Sequence, residues 1–294
     1  ILLDRPNANP IDWTTGNTKI ADANFVVLGI TGLLEGEEGA AIASPHFGDR
    51  LDYNLPQNQI DFLRKICTDN DRPVIAIVTG GSPMNLAEVQ ELADAVLLVW
   101  YPGEEGGNAV ADIIFGKASP SGRLPITFPK SFDQLPAYDD YSMEGRTYRY
   151  MKEEPLYPFG FGLSYSTFEY SNAVLSRDVI RRKSKEPVTI KATVTNTGKY
   201  TAEEVVQLYI TDEASRYRVP LFTLSGIKRV RLEPGQSTEV TFDITPAMLS
   251  VVTDNGEKVL EPGRFTISVA GSLPGKRSAE LGKNPPVQAH LTVR

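Results

Sequence analysis

The hydrophobic pattern changes its period part-way along the chain, and that change restricts the fold more than any other feature. In the first part, the continuous apolar runs NFVVLGI (24–30), PVIAIVT (73–79) and AVLLVWY (95–101) are separated by stretches with helical spacing. Unbroken apolar runs of this length suit strands of a parallel sheet whose faces are both covered. Between them, QNQIDFLRKICTDN (57–70) sets apolar residues at 60, 63, 66 and 67, and SPMNLAEVQELAD (82–94) offers Ser82 as a cap and Pro83 as a start. A third helix is expected over EGGNAVADIIFG (105–116). Strand and helix in alternation specify an α/β domain with a mostly parallel sheet and helices on both faces.

After about residue 172 the period becomes two. VTIKATVTNTG (188–198), EEVVQLYITD (203–212), GIKRVRLEPG (226–235), STEVTFDIT (237–245) and GRFTISVAG (263–271) alternate apolar and polar residues, with turn signals such as NTG, EPGQ and DNGE between them. This predicts an all-β sandwich of immunoglobulin or fibronectin III type over 173–294, after an α/β domain over 1–172 that lacks its N-terminal part. The join is expected near 171–187. The stretch at about 138–172 is dense in Tyr and Phe. It is too aromatic for a flexible tether and is expected to be an ordered segment packed along both domains.

Composition removes several function classes. The net charge is −7, and the only basic run, SRDVIRRKSKE near 176–186, reads as a solvated linker, so no nucleic acid partner is expected. No apolar run approaches the ~20 residues that span a bilayer, and no membrane partner is expected. Cys67 is the single cysteine and the histidines are His46 and His290, so disulfide frameworks and cysteine metal clusters are excluded. No cofactor is indicated: P-loop, dinucleotide and EF-hand patterns are absent. Cys67 reads as a small core residue and His290 as a structural residue of a terminal strand.

The stretch with most chemistry follows the first strand-like run: ITGLLEGEEGAAI, with Glu35, Glu37 and Glu38 inside four positions. Loops at the carboxyl ends of parallel strands form the binding crevice of open sheets. Held close, two carboxylates repel, and the raised pKa of one suits a general acid. In an extended loop Glu35 and Glu37 would point to one side. Charge alone favours a solvated acidic loop, since clustered carboxylates are often merely structural.

The surrounding residues decide between these readings. LEGEEG, HFGDRLDYNLPQNQ, WYPGEEGGNAVADIIFGKASPSGRLPITFP, MEGRTYRY and PLYPFGFGLSYSTFEYSN, in that order, resemble the C-terminal half of glycoside hydrolase family 3, nearest its bacterial β-glucosidases and β-xylosidases. TNTGKYTAEEVVQLYITD and LSGIKRVRLEPGQSTEVTFDI resemble the fibronectin type III-like domain of that family. The resemblance implies a retaining, exo-acting β-glycosidase that removes terminal non-reducing sugars with two carboxylates, one a nucleophile and the other a general acid/base. The family's Glu-x-Glu ahead of Asp-Arg falls on Glu35-Gly36-Glu37 and Asp49-Arg50. This implies Glu37 as acid/base, with Glu35 the reserve candidate. Candidate substrate-binding residues are His46 and Arg50 around the loop, and Arg146 and Tyr148 in GRTYRY, where aromatic rings and guanidinium forks suit either a sugar or, at least equally, a domain interface. Glu104 and Glu105 read as a helix start.

The family's nucleophile is an aspartate on a (β/α)8 barrel that this chain does not contain, so the sequence reads as a fragment, truncation or split half, inactive alone. Its implied partners are a β-linked oligosaccharide or aryl glycoside, a missing or separate barrel, and further copies of itself through the face the barrel would cover. The family implies a periplasmic or secreted location. The alternative function is a carbohydrate- or partner-binding module without catalysis.

Overall fold

A computed structural model describes residues 16–35 and 50–294, apart from the side chains of Leu33 and Glu35. Packing divides the chain into two units: residues up to Ala111 with Phe128–Asp133, and Asp112–Thr127 with Gln134–Arg294. The second unit therefore takes in both the 112–127 segment and the aromatic stretch, so the division by packing lies elsewhere than the sequence boundary at 172.

The first unit is built on a parallel sheet in the order β1-β2-β3, formed by β1 (Asn24–Gly29), β2 (Val74–Thr79) and β3 (Ala95–Leu98). The register runs from Asn24↔Val74 to Gly29↔Thr79 and from Ile75↔Ala95 to Val78↔Leu98. Helix α1 (Gln57–Cys67) connects β1 to β2 and buries Ile60, Leu63 and Ile66, one stripe at helical spacing. Helix α2 (Ala87–Leu92) connects β2 to β3. It sits beside α1, where Arg64 forms an ion pair with Glu88.

The structure corrects two expected boundaries here. Helix α2 starts after Leu86, well beyond Ser82-Pro83. Asn85 accounts for this: its side-chain oxygen accepts the Ala87 N–H (3.1 Å), while its backbone bridges Asn54, which holds residues 83–85 out of the helix. Strand β3 ends at Leu98 because Trp100 adopts φ +55°, a left-handed conformation incompatible with a strand. Helix α3 (Gly106–Ile114) forms where expected, and Glu105 accepts the Asn108 side chain at its start. On β1, Val26 and Leu28 are buried, while Phe25 and Val27 are 47% and 68% exposed.

The second unit is a sandwich of two sheets, β5-β13-β12-β7-β8 and β4-β6-β9. Its strands are β4 (Phe168–Leu175), β5 (Val179–Ile180), β6 (Val188–Asn196), β7 (Ala202–Asp212), β8 (Thr223–Leu232), β9 (Ser237–Ile244), β12 (Gly263–Ala270) and β13 (Val287–Val293), with a small hairpin of β10 (Val251–Val252) and β11 (Lys258–Val259). Alternating side chains such as Val188, Ile190, Ala192 and Val194 of β6, and Val206, Leu208 and Ile210 of β7, fill one core between the sheets. The join expected at 171–187 takes in the end of β4, which pairs with β6, and all of β5, which pairs in parallel with β13. Its strand character is hidden in the sequence by a register shift between Ser171 and Val174, where Asn172 takes φ +57°.

The aromatic stretch is ordered against the sandwich. Tyr148 stacks on Phe159 with ring centroids 4.2 Å apart, and Tyr209 meets Tyr148 edge-on. The fully buried Tyr209 donates to Gln207, whose amide donates to the Gly160 carbonyl (3.0 Å). The 112–127 segment is held by a buried ion cluster: Arg123 donates to Glu204 (2.7 Å) and Lys283 lies 3.5 Å from its other oxygen, with Glu204 fully buried. Burial pushes the Lys283 ammonium below the ordinary lysine range, and the Glu204 carboxylate works against that shift.

Candidate active site

The acidic loop leaves the carboxyl edge of the parallel sheet from a backbone fixed at every step. Gly29, the last residue of β1, has φ +145°, and a Cβ built on it would lie 1.9 Å from the Thr79 carbonyl oxygen. No side chain fits there. Among the described residues β1 has a neighbour on one side only, so its outer backbone groups need other partners. Gln59 of α1 supplies them at Gly29, donating to its carbonyl and accepting its N–H, both at 2.8 Å. Ile30 N–H then donates to Thr79 O (3.0 Å), and the Tyr101 hydroxyl donates to Ile30 O (3.1 Å). Leu34 N–H bonds back to Thr31 O, opening the single helical turn Gly32–Glu35.

The returning end is also pinned. Arg50 donates to Asn54 O (2.8 Å), and Asn54 N–H is capped by the Asp52 carboxylate (2.8 Å). Asn85 donates through its amide to the Asn54 side chain (2.9 Å) and through its backbone to Tyr53 O (2.7 Å). Tyr53 sits near Phe132, and its hydroxyl is pushed up to about 12, first by burial and then by the nearby Asp133 charge. It is therefore a neutral phenol at any working pH and no base. The ends of β2 and β3 are joined by Thr79 and Gly80, both of which donate to Trp100 O, and Trp100 packs at 6.2 Å from the buried Phe128.

The sequence candidates fall as follows. Glu37 and His46 lie outside the described residues, as does the side chain of Glu35. The Glu35 backbone ends a helical turn, so at this residue the chain is not extended. Arg50 anchors the returning end. Arg146 and Tyr148 have partners inside the second unit: Arg146 donates to Ala137 O (2.8 Å) and Asp140 O (3.0 Å), and Tyr148, besides its stacking, accepts Leu224 N–H (3.4 Å). His290 is exposed on β13, 3.2 Å from Thr266 Oγ1 and 3.5 Å from Glu213. Cys67 is only half-buried at the end of α1, where burial and the Asp94 charge raise its thiol. No group of three or more His, Cys, Asp or Glu poised for a metal occurs among the described residues.

Gln59, Asn85, Tyr53 and Tyr101 escaped sequence reading because each works by a contact far along the chain and carries no local signal. Together they fix where a loop bearing carboxylates enters and leaves the sheet edge, which is where open α/β folds place their ligands.

Two models of known families match the chain in sequence. Residues 8–165 match the Glycosyl hydrolase family 3 C-terminal domain, and residues 204–273 match the Fibronectin type III-like domain. A periplasmic beta-glucosidase of Salmonella typhimurium is 35% identical over 271 residues, which cover 88% of this chain and 34% of that protein. A putative beta-xylosidase of Formosa agariphila is 36% identical over 275 residues, covering 92% and 35%. The crystal structure of the Bifidobacterium adolescentis GH3 beta-glucosidase superposes with a TM-score of 0.80 at 26% identity, covering all of this chain and 42% of that one. The chain thus spans about a third of the length of the curated relatives it matches.

Proposed function

Because the chain belongs to glycoside hydrolase family 3, we propose that it supplies the general acid/base to a retaining β-glycosidase of β-glucosidase or β-xylosidase type, with Glu37 as the carboxyl group. The observation that carries this reading is the ordered match of Glu35-Gly36-Glu37 and Asp49-Arg50 to the family pattern, on a loop whose two flanks are tied to the carboxyl edge of the sheet. Glu37 protonates the departing glycosidic oxygen, then activates the water that opens the glycosyl intermediate. The nucleophile is an aspartate of a barrel that this chain meets. The substrate is a β-linked oligosaccharide or an aryl glycoside, and the setting is periplasmic or secreted, as for the relative from Salmonella typhimurium.

The test combines the chain with a separately produced family 3 barrel and follows nitrophenyl β-D-glucoside and β-D-xyloside. Activity is expected only in the mixture. Glu37→Gln should lower turnover by about 100-fold or more on leaving groups that need a proton, and much less on dinitrophenyl glycosides that do not. Added azide should restore turnover by attacking the glycosyl intermediate without a base. An equal loss on all leaving groups, or the same pattern from Glu35→Gln in place of Glu37→Gln, overturns the assignment. Retained activity in Glu37→Gln leaves the non-catalytic binding module as the function.

A further inference from the structure

The basic run 176–186 is neither linker nor featureless surface. Residues Arg177, Val179, Ile180, Arg181, Lys183 and Ser184 line a concavity of about 420 Å³ on the second unit, within the ~300–1,000 Å³ of small-ligand sites. Its backbone is fixed. β5 pairs with β13 at Thr292↔Val179 and Val293↔Ile180, Arg182 N–H bonds to Arg294 O (2.9 Å), and Ser184 N–H closes a turn on Arg181 O (2.8 Å).

The charges within this frame are unevenly satisfied. Arg177 is committed to Glu186 (2.9 Å) and to the carbonyls of Glu186 and Pro187, yet its Nε–H is buried without a hydrogen-bond partner among the described residues. Arg182 donates to Leu260 O. Arg181 and Lys183 have no side-chain partner among the described residues. The acidic groups of the run are Asp178 and Glu186, and Glu186 is already paired. Five cations against two carboxylates over 177–186 stand out in a chain of net charge −7.

From this geometry we propose that the concavity is an oxyanion site that holds the carboxylate of an acidic saccharide, with Arg181 and Lys183 on the anion and Val179 under the sugar ring. Arg and Lys supply charge-assisted hydrogen bonds to a carboxylate, and an apolar floor suits the C–H face of a pyranose. The site goes beyond the glycosidase reading. Only the choice of a saccharide as carrier of the anion rests on that reading, since a site of this kind would retain uronate-bearing chains near the enzyme.

Titration calorimetry of the 294-residue chain tests it with a glucuronate-bearing xylo-oligosaccharide, its neutral counterpart of equal length, inorganic phosphate and phosphatidylglycerol vesicles. The acidic oligosaccharide should bind, more weakly at high salt, and the neutral one should not. Arg181→Gln with Lys183→Gln should weaken binding by about tenfold or more, the loss of hydrogen bonds to a charged group, with the melting temperature unchanged because both side chains are exposed. Equal binding of the neutral sugar, unaltered binding in the double variant, or binding confined to vesicles overturns the proposal. Phosphate binding as tight as the acidic oligosaccharide overturns the saccharide assignment. Binding is read without catalysis, so its failure is separate from any failure of Glu37→Gln in the hydrolysis assay.

Discussion

Gly29 shows how much one residue can decide. Its φ of +145° and the 1.9 Å approach of a Cβ to Thr79 O leave two independent objections to any side chain. Gly29→Ala is expected to cost about 3 kcal/mol or more in urea unfolding of the chain, and to release the Gln59 clamp that directs the acidic loop. A loss below about 1 kcal/mol would mean that the strand end shifts freely and is no anchor. Glu261 gives a matching test in the sandwich. It is 5% exposed and accepts Arg216 Nε (2.7 Å), Ser215 Oγ (2.8 Å) and Arg216 N–H (3.3 Å). The Arg216 hydrogen bond, ahead of the others, holds its carboxyl below the ordinary value of 4.5. The unfolded chain takes up the proton first as pH falls, so this stabilisation is complete above about pH 4.5 and disappears as pH drops through the folded value. Glu261→Gln should therefore be less stable than the parent at neutral pH, with the difference closing in acid. A difference that is constant with pH would contradict the ion pair.

At the level of elements, the parallel sheet tests register most directly. The run NFVVLGI looks the same on both faces in sequence, yet Val26 is 5% and Val27 68% exposed. Val26→Thr, which buries a hydroxyl, should cost about 1–3 kcal/mol, while Val27→Thr should stay within about 0.5 kcal/mol. The reverse order in thermal melts would place the strand one residue out of register. Existence and type of the elements were readable: α1 shows its stripe of Ile60, Leu63 and Ile66, and β6 and β9 bury alternate residues, whereas β7 and β12 form as strands but are buried on both faces over much of their length. Ends were less so. The Asn85 side chain delays α2, the left-handed Trp100 shortens β3, and the shift at Ser171/Val174 disguises β4. Each is a local choice settled by a partner distant in sequence.

For the whole molecule, catalysis is a question of completeness. A retaining glycosidase needs two carboxylates about 5–5.5 Å apart, and the proposed function assigns one of them to this chain. On the proposed function, silence of the 294 residues alone would follow because a single acid/base carboxylate cannot also form the glycosyl bond. Restoration on mixing is the informative half of that experiment. Within the second unit, residues 112–127 are bound to the sandwich by Arg123, Glu204 and Lys283. Removing Glu204 would leave two buried cations unpaired, the costly way to break such a cluster.

The sequence by itself determined the class of each half, because hydrophobic period is a local property that repeats at every turn or pleat. It also determined the family, because long ordered motifs are read residue by residue. The tertiary structure alone decided which face of β1 is covered, that Gln59 and Tyr101 hold the loop's departure, and that a basic run read as linker becomes the rim of a concavity. Those outcomes depend on which distant residues meet, and no local pattern encodes a meeting between residues 29 and 59 or between 179 and 292.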